Sequence, residues 1–240
     1  MTYNVHSCIG MDGQLSPQRI ARVIGEHQPD IVALQELDVG RDRTNGVDQA
    51  HIIARLLNMN FHFYPAIHVE EEQYGDAILT QLPTRLIKKE HLPSLDMRKK
   101  TLEPRGALWV EVDYQATTIH VINTHLSLSA IERRLQIDAL LSCQWIRHPV
   151  CQSALIVCGD FNATPWQYAY HQLDKYLNDV QKMASNHSPQ NTFSSRYPSL
   201  RIDHIFVDKT TKISVVYIPK NSLSRVASDH LPLIVDLIVD

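Results

Sequence analysis

The chain has 240 residues, of which 44% are hydrophobic and 20% charged, and its formal net charge is −3. The hydrophobic fraction is enough for one large core. The negative net charge argues against a protein that binds nucleic acid mainly through counterion release. No segment approaches the roughly 18 consecutive apolar residues of a membrane span, and the N-terminus lacks the basic start and apolar stretch of a secretion signal. Four cysteines without a CxxC pair are typical of reduced thiols rather than of a disulfide frame or a zinc site, so we expect a cytoplasmic protein.

The first part of the chain alternates between strand and helix signals. Residues 2–6 alternate like a strand, which would place Asn4 and His6 on one face. Strands have about five or six residues on average, so the closeness of Met1 to Asn4 leads us to expect a few residues upstream of the sequence given. A second strand is predicted over residues 30–36, a buried apolar run that ends in a carboxylate.

Four helices are predicted from capping residues and apolar spacing. Ser16 is an N-cap residue before Pro17 at the first helical position, and Ser129 with Glu132 matches a capping box. Apolar residues recur at helical spacing after both caps and in two further segments. The predicted helices cover residues 17–27, 47–57, 129–146 and 166–173.

Strand signals dominate the rest of the chain. The further predicted strands cover residues 61–66, 76–80, 84–89, 106–113, 117–123, 154–157, 201–208, 212–218 and 231–238. Residues 114–116 are typical of a hairpin turn, and the polar residues 186–198, with two prolines, indicate a surface loop. Because we find no repeat and no linker, we predict one α/β domain over residues 1–240, with two sheets packed face to face and helices outside.

Polar side chains gather where the predicted buried strands end. In open α/β sheets, ligands bind beyond the carboxyl ends of the strands. Carboxylates crowded on one rim raise each other's pKa unless a cation intervenes, and the oxygens of Asp, Glu and Asn suit Mg²⁺ or Mn²⁺. The pattern therefore predicts a magnesium site beside two histidines. The residues concerned are Asn4, Glu36, His125, Asp160, Asn162, Asp203, Asp229 and His230.

Six motifs occur in one order along the chain, and together they resemble a known family. They are TYNVH (residues 2–6), DIVALQE (30–36), NTHL (123–126), GDFNA (159–163), IDHIF (202–206) and SDHLP (228–232). In this order they resemble the endonuclease/exonuclease/phosphatase superfamily, which includes deoxyribonuclease I, apurinic endonucleases, sphingomyelinases and inositol-polyphosphate phosphatases. The resemblance implies a four-layered α/β/β/α sandwich of two mixed sheets and Mg²⁺- or Mn²⁺-dependent hydrolysis of a phosphoester.

The resemblance also implies a metal centre. Glu36 would be the principal metal ligand with Asn4 beside it, and Asp229 would complete the metal environment. A phosphodiester is anionic and repels nucleophiles, and a bound cation neutralises that charge and organises the leaving oxygen.

The same resemblance implies the acid and base groups. His230, oriented by Asp203, would contact the scissile phosphate or assist the attacking water, and Asp160 would position or deprotonate that water. Either Asp160 or His230 could be the base. Asn162 would hold a phosphate oxygen, and His125 would donate a proton or hydrogen bond on the leaving-group side. Strand alternation would place Asp160 and Asn162 on one side, where both could face one phosphate.

Two further segments bear on substrate binding. TLEPRGAL (residues 101–108) is common in bacterial members of the superfamily, and Arg105 could reach a substrate phosphate because its guanidinium fork suits oxyanions. YGDAILT (residues 74–80) resembles the family's GNAILS segment, but Asp76 replaces the usual Asn. A carboxylate there would repel a phosphate unless a second metal binds.

The substrate class is a choice among phosphoesters. Loops that wedge into DNA are rich in Arg, Lys and aromatics, and only residues 97–105 fit that description. A lipid-active member would need an exposed apolar hairpin, and the loop at 186–198 offers only Phe193 and Tyr197. The acidic run at residues 70–72 could disfavour polyanions. We favour a phosphodiesterase with nuclease-like activity and no obligate protein partner; the alternatives are a lipid phosphodiesterase, a small-molecule phosphatase and a non-catalytic phosphate-binding module.

Overall fold

The computed structural model describes residues 1–95, 103–152, 154–185 and 187–239. Within these ranges the strands are β1 (Thr2–Asn4), β2 (Ile31–Val39), β3 (Asn60–Val69), β4 (Glu72–Thr80), β5 (Thr84–His91), β6 (Gly106–Tyr114), β7 (Thr117–His125), β8 (Leu155–Asp160), β9 (Asn178–Asp179), β10 (Asp203–Val207), β11 (Lys212–Tyr217) and β12 (Ile234–Ile238). The α-helices are α1 (Pro17–Gly25), α2 (Gln49–Leu57), α3 (Ala130–Leu140), α4 (Tyr168–Tyr176), α5 (Val180–Met183) and α6 (Ser222–Ala227).

Two mixed sheets form the centre of the molecule. One has the strand order β1-β2-β4-β3 and the other the order β5-β6-β7-β8-β10-β9. The pairs β1/β2 and β7/β8 are parallel, and the other pairs in these sheets are antiparallel. β11 and β12 form a separate antiparallel pair, and a backbone bridge between Thr2 and Leu233 attaches the segment before β12 to β1. The predicted class, two packed mixed sheets with helices, is confirmed.

Three apolar clusters hold the layers together. The first lies between the sheets and includes Ala33, Ile78, Val121 and Ile205. The second packs α1 and α2 on the four-stranded sheet, and the third packs α3 and α4 on the six-stranded sheet. Adjacent residues of β7 separate into two of these clusters, because Val121 faces the other sheet and Ile122 faces the helices. A strand buried on both faces therefore appears in the sequence as a continuous apolar run.

The first strand is shorter than predicted. β1 ends at Asn4, and the segment His6–Cys8 forms a short 3-10 turn with φ angles of 48°, 49° and 56°. A contact from α2 holds this turn, since Gln49 Nε2 donates a hydrogen bond to the Ser7 carbonyl at 2.6 Å. The prediction that Asn4 and His6 share one strand face is therefore wrong, because the chain turns between them.

Other elements also differ in their bounds from the prediction, and two of them show why. The strand predicted over residues 30–36 continues, as β2, to Val39. The helix predicted to reach residue 146 ends, as α3, at Leu140. Beyond it the chain makes turns that bury Trp145 against the helix-side core of the six-stranded sheet. The helical spacing of apolar residues continues past Leu140 because these turns also bury side chains, and the predicted helix was therefore too long.

The short elements of the second half are absent from the sequence prediction. α5 has 4 residues, α6 has 6 and β9 has 2, which is too few to show an apolar period. Both helices begin at side-chain caps, where Asp179 accepts from Gln181 N and Asn221 accepts from Ser224 N.

Several predicted features lie outside the described residues. They are the basic stretch at 97–100, the first two residues of TLEPRGAL, and residue 186 at the start of the predicted surface loop. Within the described part of the chain, no helix is both long enough and apolar enough to cross a membrane.

Candidate active site

The predicted site residues converge on one cleft of about 900 Å³. Seven of them line it directly: Glu36, Arg105, His125, Asp160, Asn162, Asp229 and His230. The other two, Asn4 and Asp203, are fully buried behind the lining and bond to residues within it. The cleft therefore collects side chains from both sheets.

Strand pairing places three of these side chains in a row. In the parallel β7/β8 pair His125 lies opposite Asp160, and in the antiparallel β8/β10 pair Asp160 lies opposite Asp203. Paired residues on adjacent strands present their side chains on the same face. His125 and Asp160 are the last residues of β7 and β8, whereas Asp203 is the first residue of β10, which runs antiparallel to β8.

Glu36 reaches the cleft through a β-bulge in the middle of β2. Leu34 pairs with Ala77 and Leu37 pairs with Gly75, so two residues of β2 stand opposite Asp76 alone. Glu36 itself has φ +63°, a left-handed conformation that costs a non-glycine residue roughly 1–2 kcal/mol. Such strain concentrates at functional sites, where the surrounding structure maintains it.

Asn162 lies in a turn rather than in a strand. β8 ends at Asp160, Asn162 has φ 47°, and its backbone amide donates to Asp160 Oδ1 at 2.8 Å. The side-chain amide of Asn162 donates to the Leu126 carbonyl at 2.9 Å. Strand alternation is therefore the wrong reason for the closeness of Asp160 and Asn162, which an Asx-type turn produces instead.

Asn4 holds two carboxylates together. The backbone amide of His6 donates to Asn4 Oδ1 at 3.0 Å, and because a backbone N–H can only donate, this contact fixes the orientation of the amide. Asn4 Nδ2 then donates to Glu36 Oε1 at 2.9 Å and to Asp160 Oδ2 at 3.0 Å. One amide group thus brings acidic side chains from opposite sheets into contact.

His230 is held as a charged imidazolium. Its Nδ1 donates to Asp203 Oδ2 at 2.8 Å, and its Nε2 lies 3.7 Å from Asp160 Oδ2. Burial opposes the charged ring, but Asp203 and Asp160 outweigh burial and raise the pKa of His230 to about 10. Thr192 Oγ1 supports Asp203 with a hydrogen bond of 2.5 Å, and the Phe193 ring packs on His230 with centroids 4.9 Å apart.

His125 is held neutral between two nitrogen contacts. Arg105 contacts His125 Nδ1 at 3.1 Å, and the side-chain nitrogen of Asn162 contacts Nε2 at 3.0 Å. Burial, followed by the charges of Arg105 and His230, holds the pKa of His125 well below its usual range. His125 Nε2 also lies 3.5 Å from Asp160 Oδ2.

Asp160 lies between the two histidines and is a weaker acid than usual. Burial, followed by the nearby Asp203 carboxylate, raises the pKa of Asp160 to about 7, against the opposing effect of His230. A carboxyl group with a pKa near neutrality can both accept and release a proton at physiological pH. A cation bound beside it would lower that pKa.

Two groups of side chains in the described residues could hold a metal ion. They are Glu36, His125 and Asp160, and Asp160, Asp203 and His230; within each, ligand atoms lie within 4.8 Å of one another. In the second group His230 already donates to Asp203. In the first, His125 Nε2 is already in contact with the Asn162 side-chain nitrogen at 3.0 Å. The oxygens of Glu36 and Asp160 remain, and such hard donors fit Mg²⁺ or Mn²⁺.

Asp229 lies on the wall of the same cleft, outside both groups. Its Oδ1 is 3.9 Å from His6 Nδ1 and accepts a hydrogen bond from Ser228 Oγ at 3.3 Å. Its predicted part in the metal environment stays a prediction.

Arg105 is buried in the cleft wall and forms an ion pair with one acidic residue. Its guanidinium bridges His125 and Glu103, the latter at 3.1 Å. Asp76 is buried, is absent from the cleft lining, and feels the Arg105 charge. Burial raises the pKa of Asp76 to about 7, although Arg105 opposes the shift. The carboxylate at the position of the family's usual Asn therefore lies behind the cleft rather than in it.

Sequence reasoning gave no role to several side chains of the cleft wall, among them Arg43, Tyr74 and Glu103. The Arg43 guanidinium lies 5.2 Å from the centre of the Tyr74 ring. The buried carboxylate of Asp38 accepts two hydrogen bonds of 2.7 Å from Arg43. Tyr74 and Glu103 lie within the YGDAILT and TLEPRGAL segments, whereas no motif marks Arg43, which reaches the cleft from the loop after β2.

Comparisons with known proteins agree with this architecture. A model of the Endonuclease/Exonuclease/phosphatase family matches residues 1–230. The chain is 29% identical over 216 residues to the Escherichia coli (strain K12) protein YbhP, which has no characterised function; the match covers 85% of this chain and 81% of YbhP.

Solved structures share the fold. An endonuclease/exonuclease/phosphatase from Beutenbergia cavernae is 22% identical with a TM-score of 0.79, covering 98% of this chain and 70% of that chain. A mannosyl-6-phosphatase from Bacteroides thetaiotaomicron is 19% identical with a TM-score of 0.73, covering 99% and 98%. The human nocturnin catalytic domain is 23% identical with a TM-score of 0.70, covering 98% and 91%.

Proposed function

This chain belongs to the endonuclease/exonuclease/phosphatase family, and from that premise we propose that it is a Mg²⁺- or Mn²⁺-dependent phosphodiesterase with nuclease-like activity. Members of the family are generally hydrolases of phosphoesters. The observation that carries the proposal is the convergence of His125 and His230 on Asp160 Oδ2, at 3.5 and 3.7 Å, next to the Glu36 carboxylate.

Glu36 and the adjacent Asp160 oxygen would hold the cation, with Asn4 fixing both carboxylates and Asp229 adding negative charge nearby. When bound, a divalent ion supplies charge neutralisation at the phosphoryl and leaving oxygens. The donor set supports Mg²⁺ or Mn²⁺ because it offers carboxylate oxygens and no cysteine.

The protein's own groups divide the remaining work. The imidazolium of His230, fixed by Asp203, would bind a phosphoryl oxygen and stabilise the charge that develops in the transition state. Neutral His125, held beside Arg105, would donate a proton or hydrogen bond to the phosphoryl or leaving oxygen. Asn162 would position the phosphate between them.

Asp160 is the better candidate for the base. At neutral pH both nitrogens of His230 carry protons, so the ring has no lone pair to accept one. Asp160 lies next to the predicted metal ligand Glu36, and a bound cation, which lowers its pKa, would keep it as a carboxylate that can accept a proton. We therefore assign the proton from the attacking water to Asp160, and a positioned base of this kind contributes roughly 10²–10⁴-fold to the rate.

Hydrolysis of bis(p-nitrophenyl) phosphate tests the proposal. We expect turnover with Mg²⁺ or Mn²⁺, none with chelator, and a fall of at least about 10²-fold for Glu36→Ala and for His230→Ala. Asp113→Ala, which removes an exposed carboxylate on β6, is the matched control and should keep full activity. Turnover that persists with chelator and in both variants would show that the cleft is not the catalytic site.

The substrate class is tested with the same protein. A panel of DNA, RNA, abasic duplex, sphingomyelin and phosphoinositides, with the metal varied, separates nuclease-like activity from lipid hydrolysis, and a sugar phosphate adds the phosphatase class. Cleavage of a nucleic acid that Glu36→Ala abolishes supports the proposal. Binding of phosphoesters without turnover by any metal form would instead identify a phosphate-binding module.

A further inference from the structure

The molecule exposes a group of large apolar side chains at one lip of the cleft. Leu128, just before α3, is 73% exposed, Ile131 on α3 is 64% exposed and Trp166, just before α4, is 87% exposed. Leu135 and Tyr168 are exposed beside them. Single exposed apolar residues are normal on a protein surface, whereas a contiguous group marks a contact site.

The apolar residues of α3 lie on its outer face. The inner face, which includes Arg133 and Ile137, is buried against the sheet. Ile131 and Leu135 are four residues apart and therefore project on the same side of the helix. Arg134 and Asp138, also exposed, share that side. The outer face of α3 is thus half apolar, and its two aliphatic side chains, Ile131 and Leu135, are exposed.

The start of α4 extends the same surface. The Arg134 guanidinium lies 4.6 Å from the centre of the Tyr168 ring, and the Tyr168 hydroxyl donates to Asp138 at 3.0 Å. Trp166 stands two residues before Tyr168 in the turn where Gln167 N donates to the Thr164 carbonyl. We call the group Leu128, Ile131, Leu135, Trp166 and Tyr168 the α3–α4 surface.

This surface is continuous with the cleft. Leu128 lines the cleft itself, as do Thr164 and Gln167 on either side of Trp166. Arg133 donates to the Ser127 and Leu128 carbonyls at 2.9 Å and 2.7 Å and so fixes the lip. A partner seated on the α3–α4 surface would therefore lie at the mouth of the cleft.

We propose that the α3–α4 surface docks on the interface of a lipid membrane. Tryptophan and tyrosine favour the boundary between headgroups and acyl chains, where their amphipathic rings are accommodated, and an exposed helix face with aliphatic side chains binds there by burying them. A protein partner fits less well, because five side chains are few beside the roughly 20–30 residues a side of a standard interface. The proposal goes beyond the proposed function and does not depend on it, since lipid binding is measured without turnover.

Tryptophan fluorescence isolates one member of the surface. The chain has three tryptophans, and Trp109 and Trp145 are buried in the core. Trp166 is thus the one that aqueous iodide can reach. With vesicles of phosphatidylcholine and phosphatidylglycerol, we expect Trp166 to become protected from iodide and to be quenched by lipids brominated on their acyl chains. Unchanged iodide quenching at saturating vesicle would overturn the proposal.

Vesicle co-sedimentation of the full chain tests the surface as a whole. We expect the wild-type protein to bind with little dependence on salt, because apolar burial is not screened. The double variant Ile131→Ser with Trp166→Ser should partition about a hundredfold more weakly, at roughly tenfold for each side chain. The matched control is Leu56→Ser with Val69→Ser, two exposed apolar residues on α2 and β3, and it should bind as wild type does.

Three further results overturn the proposal. They are no co-sedimentation of the wild-type protein, an equal loss of binding in the control variant, and a wild-type dimer in analytical ultracentrifugation that the double variant lacks, which would make the surface a self-association site. Hydrolysis of soluble bis(p-nitrophenyl) phosphate by both variants reports whether each is folded. If no form of the protein hydrolyses this compound, the function proposal fails while lipid binding is still read from sedimentation.

Discussion

At the scale of single residues, the cleft is organised by the proton that each side chain carries. Burial and the charge of Arg105 favour the neutral form of His125, whereas the carboxylates of Asp203 and Asp160 favour the charged form of His230. The two rings are chemically identical, and both lie near the same Asp160 oxygen, at 3.5 and 3.7 Å. Their opposite pKa shifts come from the different groups around each ring. Pairs of titratable groups whose pKa values are pushed apart are what acid–base chemistry requires.

His230 gives a prediction about stability and pH. Its pKa is raised from its usual value to about 10, so its ionic contribution to stability is fully present below about pH 6.5 and is lost as the pH rises through about 10. Urea unfolding in the presence of chelator should therefore show the wild-type protein losing stability across this window. Asp203→Asn removes the partner charge and should flatten the dependence. Equal slopes for the two proteins would show that Asp203 does not hold the proton on His230.

At the scale of secondary-structure elements, irregularities in the strands aim the functional groups. A regular β2 would alternate its side chains between the inter-sheet core and the helices, and the bulge is what turns Glu36 toward the cleft. The neighbouring Gln35 stays buried and donates to Asn123 Oδ1 at 2.8 Å, which links the two sheets beneath the site. A close approach on β8 has a similar effect, because a Cβ on Gly159 would stand 1.8 Å from the Thr124 carbonyl oxygen. Only glycine lets β8 lie close enough to β7 to align Asp160 with His125.

The bulge gives a prediction that compares two substitutions at one position. Glu36→Gly and Glu36→Ala both remove the carboxylate and should both abolish turnover. Because Glu36 has φ +63°, the glycine variant should be more stable than the alanine variant by about 1 kcal/mol. Urea unfolding of the two variants measures the difference. An alanine variant as stable as the glycine variant would mean that the strand relaxes out of its left-handed turn.

At the scale of the whole molecule, the site joins the two sheets. Asn4 and Glu36 belong to the four-stranded sheet. His125, Asp160 and Asp203 lie on β7, β8 and β10, three neighbouring strands of the six-stranded sheet. Without a cation, the two facing carboxylates repel each other across the sheet-to-sheet interface, and the Asn4 amide is the group that bridges them. A bound ion would therefore stabilise the packing of the sandwich as well as the site.

Metal binding should accordingly raise the melting temperature. An ion at about 100 times its Kd stabilises the folded state by about 2.7 kcal/mol, so Mg²⁺ or Mn²⁺ should shift the thermal midpoint upward and chelator should reverse the shift. Glu36→Ala should lose most of the shift, whereas Asp113→Ala should keep it. A shift of the same size in Glu36→Ala would place the cation elsewhere.

Much of the architecture could be predicted from local pattern. Local sequence signals predicted the buried strands β2, β7 and β8 and the capped starts of α1 and α3. The apolar spacing of these helices reflects the one face that each buries against a sheet. The site residues could also be named, since the motifs that carry them follow one another in a recognisable order. Element ends were predicted less well, because the turns after α3 bury side chains with the same spacing as a helix.

The sequence by itself determined the fold class, the family and the identity of the polar residues in the cleft, because periodicity and motif order are properties of the chain alone. Tertiary structure decided the rest: the left-handed turns at Glu36 and Asn162, the proton on each histidine, the burial of Asp76 and the exposure of Trp166 and Ile131. These features depend on which segments meet across the two sheets. Distances between residues remote in the chain set pKa values, hold strained backbone and leave side chains uncovered, and no local pattern encodes those distances.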